Sequence, residues 1–461
     1  MVLVYNETIA AIATAPGEAG IGIVRISGDK AVDILDSIFK AKSKIYVKDI
    51  PSRKVTFGYI FDDNRIVDEV LAIVMKAPYS YTTEDVVEIH CHGGIVPIRK
   101  IMELVLHNGA VLAEPGEFTK RAFLNGRIDL TQAEAVIDVI TSKTENGLNA
   151  AVNQLEGSLS DEIKRIMDNL LAAIAHIEAS IDFPEHDIEE VTSESIKELL
   201  KKSEKSVREL IDSFEEGRIV KDGLSTAIIG RPNVGKSSLL NVLLKYNRAI
   251  VTDIPGTTRD IIEEYLNIGG VLIKLIDTAG IRETEDIVEK IGVERTKEAI
   301  KEAELIIFVI DMSEELLDED KEILSYIKDK KVVVAANKID AGRKADIDFI
   351  YERFGKNNVI EMSVKNSMGI QELEKHIKEM VYHGNVSVRN NRMVTNIRHK
   401  DLLDKAIESI KKAIASIDAG VPVDLVSVDI KDSWSKLGSI TGDTVDEDIV
   451  TEIFSKFCIG K

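Results

Sequence analysis

Three features are scarce in this 461-residue chain: cysteine, positive charge and long apolar runs. The two cysteines, Cys91 and Cys458, are too few for a disulfide framework or a zinc site, which suits a reducing cytosol. No apolar run reaches the roughly 18 residues of a membrane helix, and the N-terminus lacks a basic region followed by an apolar core. These absences lead us to expect a soluble, cytoplasmic protein with no membrane span.

Positive charge is outweighed, because 59 lysines and arginines face 79 aspartates and glutamates and the net charge is −20. Affinity for nucleic-acid backbones depends on clustered positive charge, so this balance argues against binding of nucleic acid through bulk charge. Any such contact has to be local or shared with a partner. The length fits about three domains, and a hydrophobic content of 44% supplies several ordinary cores.

The most informative stretch is GRPNVGKS at 230–237, which matches the phosphate-binding pattern G-x-x-x-x-G-K-[ST] at every fixed position. Residues 224–229 predict a buried strand before it, and 238–245 predict a helix after it, as the motif requires. Glycines let backbone N–H groups surround a polyphosphate, Lys236 reaches the β- and γ-phosphates, and the Ser237 hydroxyl can ligate Mg²⁺. The alternative is a glycine-rich turn with an incidental lysine.

Further motifs follow in the order of a guanine-nucleotide domain, which we predict at 221–381. In DTAG at 277–280, the aspartate can hold Mg²⁺ through water and the glycine N–H can meet the γ-phosphate. In NKID at 337–340, Asp340 can accept two hydrogen bonds that guanine offers and adenine lacks, which selects GTP over ATP. Thr258, in a loop that we expect the γ-phosphate to order, is the second hydroxyl ligand predicted for Mg²⁺. The predicted GTP-binding residues are Asn233, Val234, Gly235, Lys236, Ser237, Ser238, Thr252, Asp253, Ile254, Pro255, Gly256, Thr257, Thr258, Asp277, Thr278, Ala279, Gly280, Asn337, Lys338, Asp340, Ser363, Val364 and Lys365.

One expected residue is missing, because position 281 is Ile where Ras-type GTPases place the glutamine that orients water. The domain must therefore orient its water and neutralise transition-state charge in another way. A carboxylate such as Glu289 is one candidate. A monovalent cation held by Asn233 and the loop at 252–257 is another.

Residues 1–118 predict a β-rich α+β domain in which polar side chains interrupt apolar strands. Strands are predicted at 9–14, 21–27, 55–61, 67–75 and 86–90, and helices at 31–39 and 96–106. The marked polar residues are Arg25, Glu88, His90, His92 and Lys120. Such groups either pair within the fold or face a ligand, since burial without a partner is costly. A metal site at the two histidines lacks a third ligand nearby.

The segments 119–220 and 382–461 have helical periodicity instead. Thr131 and Glu134 match a capping box for a helix that ends near Ile140. Apolar stripes at 163–181, 196–214 and 402–417 each need a partner, so we predict that the two segments pack together around the inserted domain. Basic residues concentrate in the second segment, where they contact either nucleic acid, an acidic partner or solvent: Arg389, Arg392, Arg398, Lys400, Lys405, Lys411 and Lys412.

The whole chain resembles the family of tRNA modification GTPases known as MnmE or TrmE. The resemblance runs from TIAAIAT at 8–14 and GIGIVRISG at 20–28, through PGEF at 115–118 and RAFLNG at 121–126, to FCIGK at 457–461. It implies three parts: an α+β folate-binding, dimerising N-terminal domain, an all-α helical bundle in two segments, and an inserted α/β P-loop G domain of the Ras-like type. We expect the boundaries 1–118, 119–220, 221–381 and 382–461.

The resemblance also implies cofactors and site residues. Mg²⁺ would bind Ser237 and Thr258, and one K⁺ per subunit would bind Asn233, Thr252, Ile254 and Thr257. A 5-formyl- or methylene-tetrahydrofolate would contact Arg25, Glu88, Arg127 and Lys461. The implied catalytic residues are Lys236, Thr258, the water-orienting Glu289 and Cys458, although a small buried thiol is an equal reading of Cys458. Some family members carry Lys at position 127 and a basic or small residue at position 18, where this chain has Arg and Glu.

As a function, the resemblance implies a homodimeric GTP hydrolase that works with the flavoprotein MnmG in a heterotetramer. Together they would place an aminomethyl or carboxymethylaminomethyl group on C5 of the wobble uridine of certain tRNAs, with K⁺-dependent G-domain dimerisation. A rival interpretation is a GTP-dependent switch in RNA or ribosome assembly without modification chemistry. A third is a free-standing folate-dependent aminomethyl transferase with an accessory G domain.

Overall fold

The computed structural model describes residues 7–182, 189–247, 264–276, 289–382 and 392–461. In these ranges no helix is both long enough and apolar enough to cross a membrane. Three bodies of structure follow from the periodicities of the sequence: a seven-stranded sheet with helices, a helical bundle and a six-stranded α/β domain.

The N-terminal sheet has the strand order β3-β4-β5-β6-β2-β1-β7, and its neighbouring strands are antiparallel except for β1 and β7. Its strands are β1 Ile9–Ile12, β2 Ala19–Ser27, β3 Phe39–Ala41, β4 Val55–Asp62, β5 Arg65–Met75, β6 Val86–Gly93 and β7 Val111–Leu112. Helices α1 Ala31–Ile38 and α2 Ile95–His107 cover the face that carries Val24 and Ile26. Because strand residues alternate between faces, Arg25 lies on the opposite face, directly beside Glu88 of β6.

The helical body combines two distant segments of the chain. Its first segment has α3 Glu117–Leu124, α4 Leu130–Thr141, α5 Glu145–Leu155, α6 Ser158–Asp182, α7 Glu189–Asp212 and α8 Phe214–Asp222; its second has α14 Ile397–Asp418, α15 Val423–Thr441 and α16 Glu447–Ser455. One apolar core contains side chains of α6, α7, α14 and α15. The predicted packing of the two segments is confirmed, although Leu171 of the predicted stripe is exposed.

The predicted capping box at Thr131 and Glu134 is wrong. Asp129 caps α4: its carboxylate accepts from the Gln132 N–H at 3.1 Å, and the Gln132 side chain accepts from the Asp129 N–H at 3.0 Å. Glu134 instead lies inside the bundle, where its carboxylate pairs with Arg398 at 2.9 Å and with His399 at 2.6 Å. Burial alone would raise the pKa of Glu134, but the interactions with His399 and Arg398 outweigh burial and lower the pKa to about 2.

The central domain is an α/β sheet with the order β13-β12-β11-β8-β10-β9, parallel except for the β9–β10 hairpin. Its strands are β8 Leu224–Ile229, β9 Glu264–Ile268, β10 Val271–Leu275, β11 Leu305–Asp311, β12 Lys331–Asn337 and β13 Val359–Glu361. Its helices are α9 Lys236–Asn247, α10 Glu289–Glu302, α11 Asp318–Tyr326, α12 Ile347–Phe354 and α13 Ile370–Tyr382. Gly269 and Gly270, both at positive φ, make the predicted two-residue hairpin.

Polar contacts join this domain to the helical body at the base of β8. Within the helical body, Lys221 of α8 pairs with Asp138 of α4 at 2.8 Å, which holds the end of α8 just before β8. Glu304, just before β11, pairs with Arg218 of α8 and accepts a hydrogen bond from the Ser225 N–H at 3.2 Å. The strand that leads into the 230–235 loop is therefore anchored on both sides.

Candidate functional site

The loop from Gly230 to Gly235 joins the buried strand β8 to the first turn of α9. Both glycines have positive φ, +150° and +105°. A Cβ at Gly230 would lie 2.4 Å from the Val309 carbonyl oxygen, and one at Gly235 would lie 2.4 Å from the Asn337 side-chain nitrogen. Backbone conformation and close approach thus both require glycine here. The loop curls at the N-terminal end of a 12-residue helix, which is where backbone N–H groups bind anions.

Lys236, the first residue of α9, holds its ammonium over this loop. Its Nζ donates to the carbonyl oxygens of Gly230 and Arg231, at 2.8 Å each. Burial of the ammonium lowers the pKa of Lys236. A bound polyphosphate would supply negative charge beside it. Ser237 and Ser238, next along the helix, are exposed at the same end.

Asn337 connects this loop to the segment predicted to contact the base. Its buried side chain donates to the Val234 carbonyl oxygen at 2.9 Å and accepts from the Val364 N–H at 3.0 Å. The end of β12, the phosphate-type loop and the 363–365 segment are thereby fixed relative to one another. Asn337 serves as a brace between two loops, which its position in NKID does not by itself reveal.

Lys338 extends that brace from a backbone at φ +65°. Its Nζ donates to the Asn233 carbonyl oxygen at 2.7 Å and pairs with Asp311 at 2.6 Å. Burial alone would raise the pKa of Asp311, but hydrogen bonds from Lys338 and Ser313 outweigh burial and lower it. Sequence reasoning missed Asp311, although a carboxylate at the end of the fully buried strand β11 is the signal that could have found it.

Asp340 presents an exposed carboxylate beside the 363–365 segment. The Ser363 hydroxyl donates to its Oδ1 at 2.6 Å, and this bond lowers the pKa of Asp340. Ser363 is itself buried, so it orients the carboxylate from below while Lys365 stays exposed. An ionised, oriented carboxylate is suited to accept two parallel N–H donors.

Several predicted residues lie outside the described ranges. These are Thr252, Asp253, Ile254, Pro255, Gly256, Thr257, Thr258, Asp277, Thr278, Ala279 and Gly280. Glu289 is the first residue of α10, but its side chain is not among those described. Of the predicted Mg²⁺ and K⁺ ligands, the structure therefore describes Ser237 and Asn233.

A second cluster assembles the four residues predicted for folate from opposite ends of the chain. Arg25 pairs with Glu88 at 2.9 Å and donates to the Gly460 carbonyl oxygen at 3.2 Å, which places Lys461 beside the pair. The guanidinium groups of Arg25 and Arg127 lie 5.6 Å and 4.5 Å from the centroid of the Tyr81 ring. Burial and the nearby Arg25 lower the pKa of Lys461. Sequence reasoning missed Tyr81, and its aromatic type alone gives no signal.

The C-terminal tail reaches this cluster by docking on the N-terminal sheet. Phe454 and Phe457 pack against side chains of α3 and α4. Gly460 has φ +95°, and a Cβ at this position would lie 2.6 Å from the Ile12 carbonyl oxygen. Cys458 is exposed, so the reading of it as a small buried thiol is wrong. Cys91 is the buried cysteine, and burial raises its pKa to about 11.

The two marked histidines have partners within the fold. His90 contacts Glu88 at 3.2 Å, and His92 contacts Asp68 at 2.6 Å. No group of three or more potential metal-binding side chains occurs in the described ranges. In the basic region, Arg392 pairs with Glu162, Arg398 with Glu134 and Lys400 with Asp404; Arg389 lies outside the described residues.

Two protein-family models together match most of this chain. The family model described as "MnmE helical domain" matches residues 130–458, and "GTP-binding protein TrmE N-terminus" matches 8–127. Proteins named tRNA modification GTPase MnmE from Alkaliphilus oremlandii and Clostridioides difficile are 53% and 52% identical, each alignment covering 99% of this chain and 99% of the relative. The solved structure of Era from Aquifex aeolicus is 30% identical over 40% of this chain and 65% of Era, with a TM-score of 0.27.

Proposed function

The chain belongs to the MnmE family of tRNA modification GTPases and has that family's N-terminal, helical and G domains, and from this premise we propose that its GTP hydrolysis drives modification of the tRNA wobble uridine. As a GTP hydrolase it needs a site that holds triphosphate and guanine together. The Asn337 side chain, bonded both to the 230–235 loop and to the 363–365 segment, is the observation that carries this proposal.

We assign the nucleotide contacts to the predicted residues of that site. The N–H groups of 233–238 and the Lys236 ammonium would surround the phosphates. The Lys236 Nζ donates to two backbone carbonyl oxygens, and phosphate oxygens could accept these hydrogen bonds instead. Asp340 would accept from the guanine N1–H and 2-amino group, held by Ser363. An ATP competition assay tests this role: ATP should fail to displace GTP.

The metal sites follow from the same loop. The Ser237 hydroxyl, exposed at the start of α9, and Thr258 would hold Mg²⁺, whose role is to neutralise charge on the phosphates. Asn233, Thr252, Ile254 and Thr257 would hold K⁺, and Glu289 would orient the attacking water. Turnover should therefore rise in K⁺ compared with Na⁺ buffers, and Glu289→Ala should lower it. Equal rates in the two buffers would argue against the cation site.

We propose that the cluster at Arg25 binds a 5-formyl- or methylene-tetrahydrofolate, whose role is to supply a one-carbon unit. The donor set fits such a ligand: Arg127 and Lys461 are cations that can meet glutamyl carboxylates, and Glu88 is an acceptor for pterin N–H groups. Exposed Cys458 lies in the same tail, where a reactive thiol could reach substrate. Measured binding of 5-formyltetrahydrofolate to the purified chain tests the site.

We further propose a cytoplasmic homodimer that acts with the flavoprotein MnmG, in a heterotetramer, on tRNA. The G domain would span 221–381, inserted between the helical segments 119–220 and 382–461, after an N-terminal domain of 1–118. The ion pair between Glu304 of the G domain and Arg218 of α8 supports coupling between hydrolysis and the helical body.

The decisive experiment is mass spectrometry of tRNA nucleosides from cells that lack the protein. Loss of the aminomethyl or carboxymethylaminomethyl group at wobble uridine C5 supports the proposal, and normal wobble uridines would favour an RNA-assembly switch. Reconstitution with and without MnmG then separates a joint reaction from a free-standing transferase.

A further inference from the structure

Tyr81 lies at the centre of the Arg25 cluster and interacts with two cations at once. Its ring centroid is 4.5 Å from the Arg127 guanidinium carbon and 5.6 Å from that of Arg25. Guanidinium groups within about 6 Å of an aromatic ring are attracted to its face, and planar Arg stacks better than Lys. Two like charges thus contact the same aromatic ring.

The ring itself is fixed from both sides. The Tyr81 hydroxyl shares a hydrogen bond of 2.9 Å with Thr119, which is fully buried in α3. The ring is half-buried and packs against two apolar clusters, one that contains Phe118 and one that contains Phe454 and Phe457. The next residue, Thr82, is buried and bonded to Ser27 of β2 at 2.7 Å. Tyr81 is therefore a rigid platform and not a mobile surface residue.

The two arginines differ in what else holds them. Arg25 is also fixed by Glu88 and by the Gly460 carbonyl oxygen. Arg127 is exposed, and among the described residues no carboxylate pairs with it. Its contact with the Tyr81 ring is then what sets the position of its guanidinium group.

We propose that Tyr81 is a positioning residue of the folate site, holding the Arg127 guanidinium at a fixed separation from Arg25 for recognition of an anionic ligand. This inference rests on the proposed folate function. It explains how an exposed arginine that has no carboxylate partner among the described residues is held beside the Tyr81 ring. Preorganisation of this kind strengthens binding by avoiding the entropy cost of ordering a long side chain.

The test measures binding of 5-formyltetrahydrofolate to the full-length chain by calorimetry. Tyr81→Leu keeps bulk but loses the aromatic face, and we expect affinity to fall about tenfold. Tyr81→Phe and Tyr81→Trp keep a ring and should bind within about threefold of wild type. Tyr79→Leu is the matched control, because exposed Tyr79 stacks on Arg53 at 5.5 Å outside the cluster. Its binding should be unchanged.

Two further measurements separate positioning from folding. GTP turnover and the unfolding temperature should match wild type in Tyr81→Phe and Tyr81→Trp, which serve as rescue variants if Tyr81→Leu does not fold. In an Arg127→Met background, Tyr81→Leu should cost less than about threefold, because its effect acts through Arg127. Wild-type binding that is retained in Tyr81→Leu, or lost equally in all ring-bearing variants, overturns the inference alone. Absence of binding by wild type overturns the folate proposal and this inference with it.

Discussion

Among the described residues, the proposed nucleotide site comprises three short stretches, 230–238, 337–340 and 363–365, whereas the Arg25 cluster gathers single side chains from 25, 81, 88, 127 and 461. The first site is built largely from backbone groups. Gly230 and Gly235 adopt the positive φ that the loop requires, and the Asn337 side chain bonds to the Val234 carbonyl oxygen and the Val364 N–H. The second depends on side-chain stacking and pairing across two sheet strands, two loops and the C-terminal tail.

This difference teaches what each site tolerates. A site built from backbone groups loses its geometry when one of its glycines gains a Cβ. Because its binding groups come from short stretches of sequence, substitutions elsewhere should affect ligand binding little. A side-chain cluster made by distant segments depends on how those segments dock. The following experiments break or sharpen this contrast, beginning with the largest expected effect.

Asp340→Asn should change the ratio of GTP to xanthosine triphosphate affinity by on the order of 10⁴-fold. The carboxamide presents an N–H₂ donor to the carbonyl that xanthine carries at C2, and no longer accepts both guanine donors. Equilibrium binding of the two nucleotides measures the ratio. Asp348→Asn, an exposed carboxylate on α12, is the control. If folate binding also changed, the two sites would not be independent.

Glu134→Gln should destabilise the helical body by about 3 kcal/mol, since it leaves Arg398 and His399 without their buried carboxylate. The pKa of Glu134 is lowered from 4.5 to about 2. The carboxylate therefore contributes stability in full above about pH 4.5, and this contribution is lost as the pH falls toward 2. Urea unfolding between pH 7 and pH 3 measures both effects.

Exposed Glu408 on α14 provides the control, because Glu408→Gln should leave the unfolding free energy within about 0.5 kcal/mol of wild type. A Glu134→Gln protein whose stability matched wild type at pH 7 would show that the buried pair contributes nothing net.

Lys236→Ala should lower GTP turnover by about 100-fold or more, because it removes the cation above the phosphate loop. Steady-state phosphate release measures the rate, and folate binding should not change. Lys321→Ala removes an exposed lysine of α11 that pairs with Asp318, and should hydrolyse GTP at the wild-type rate. Equal loss in both variants would point to bulk charge and not to the loop.

Gly460→Ala should weaken folate binding by about five- to tenfold, the smallest effect expected. The added Cβ would meet the Ile12 carbonyl oxygen at 2.6 Å and push the tail away from Arg25. Gly109→Ala has a similar φ of +104° with nothing within 4 Å, so it controls for backbone strain. Unchanged binding in Gly460→Ala would mean that the tail is not part of the ligand site.

Local patterns predicted much of this molecule. Residues 224–229 form the predicted strand because Gly223 and Gly230 bound a short apolar run, and the Gly269–Gly270 hairpin follows from positive φ. The phosphate loop could be predicted because its chemistry is contiguous. The pairing of helical segments could be inferred because neither has enough partners alone.

What could not be predicted depends on distance along the chain. Glu134 fits a local capping pattern, yet its partners are 264 and 265 residues away, and their charges decide its place. Asp311 looks like the end of an apolar run until Lys338 is seen beside it. Cys458 has apolar neighbours in the sequence, but the residue is exposed where the tail docks on the N-terminal sheet. The boundaries at 118, 220 and 381 stay predictions.

The hydrogen bond from Arg25 to the Gly460 carbonyl oxygen spans 435 residues, so its two ends are synthesised far apart in time. At roughly 5–20 residues per second, the ribosome needs on the order of 20–90 s to supply the second end after the first. The N-terminal sheet has its own apolar core and can fold during that interval. The proposed ligand site at Arg25 would then remain incomplete until residue 460 has been synthesised, and the nascent chain could not bind a ligand there before that moment.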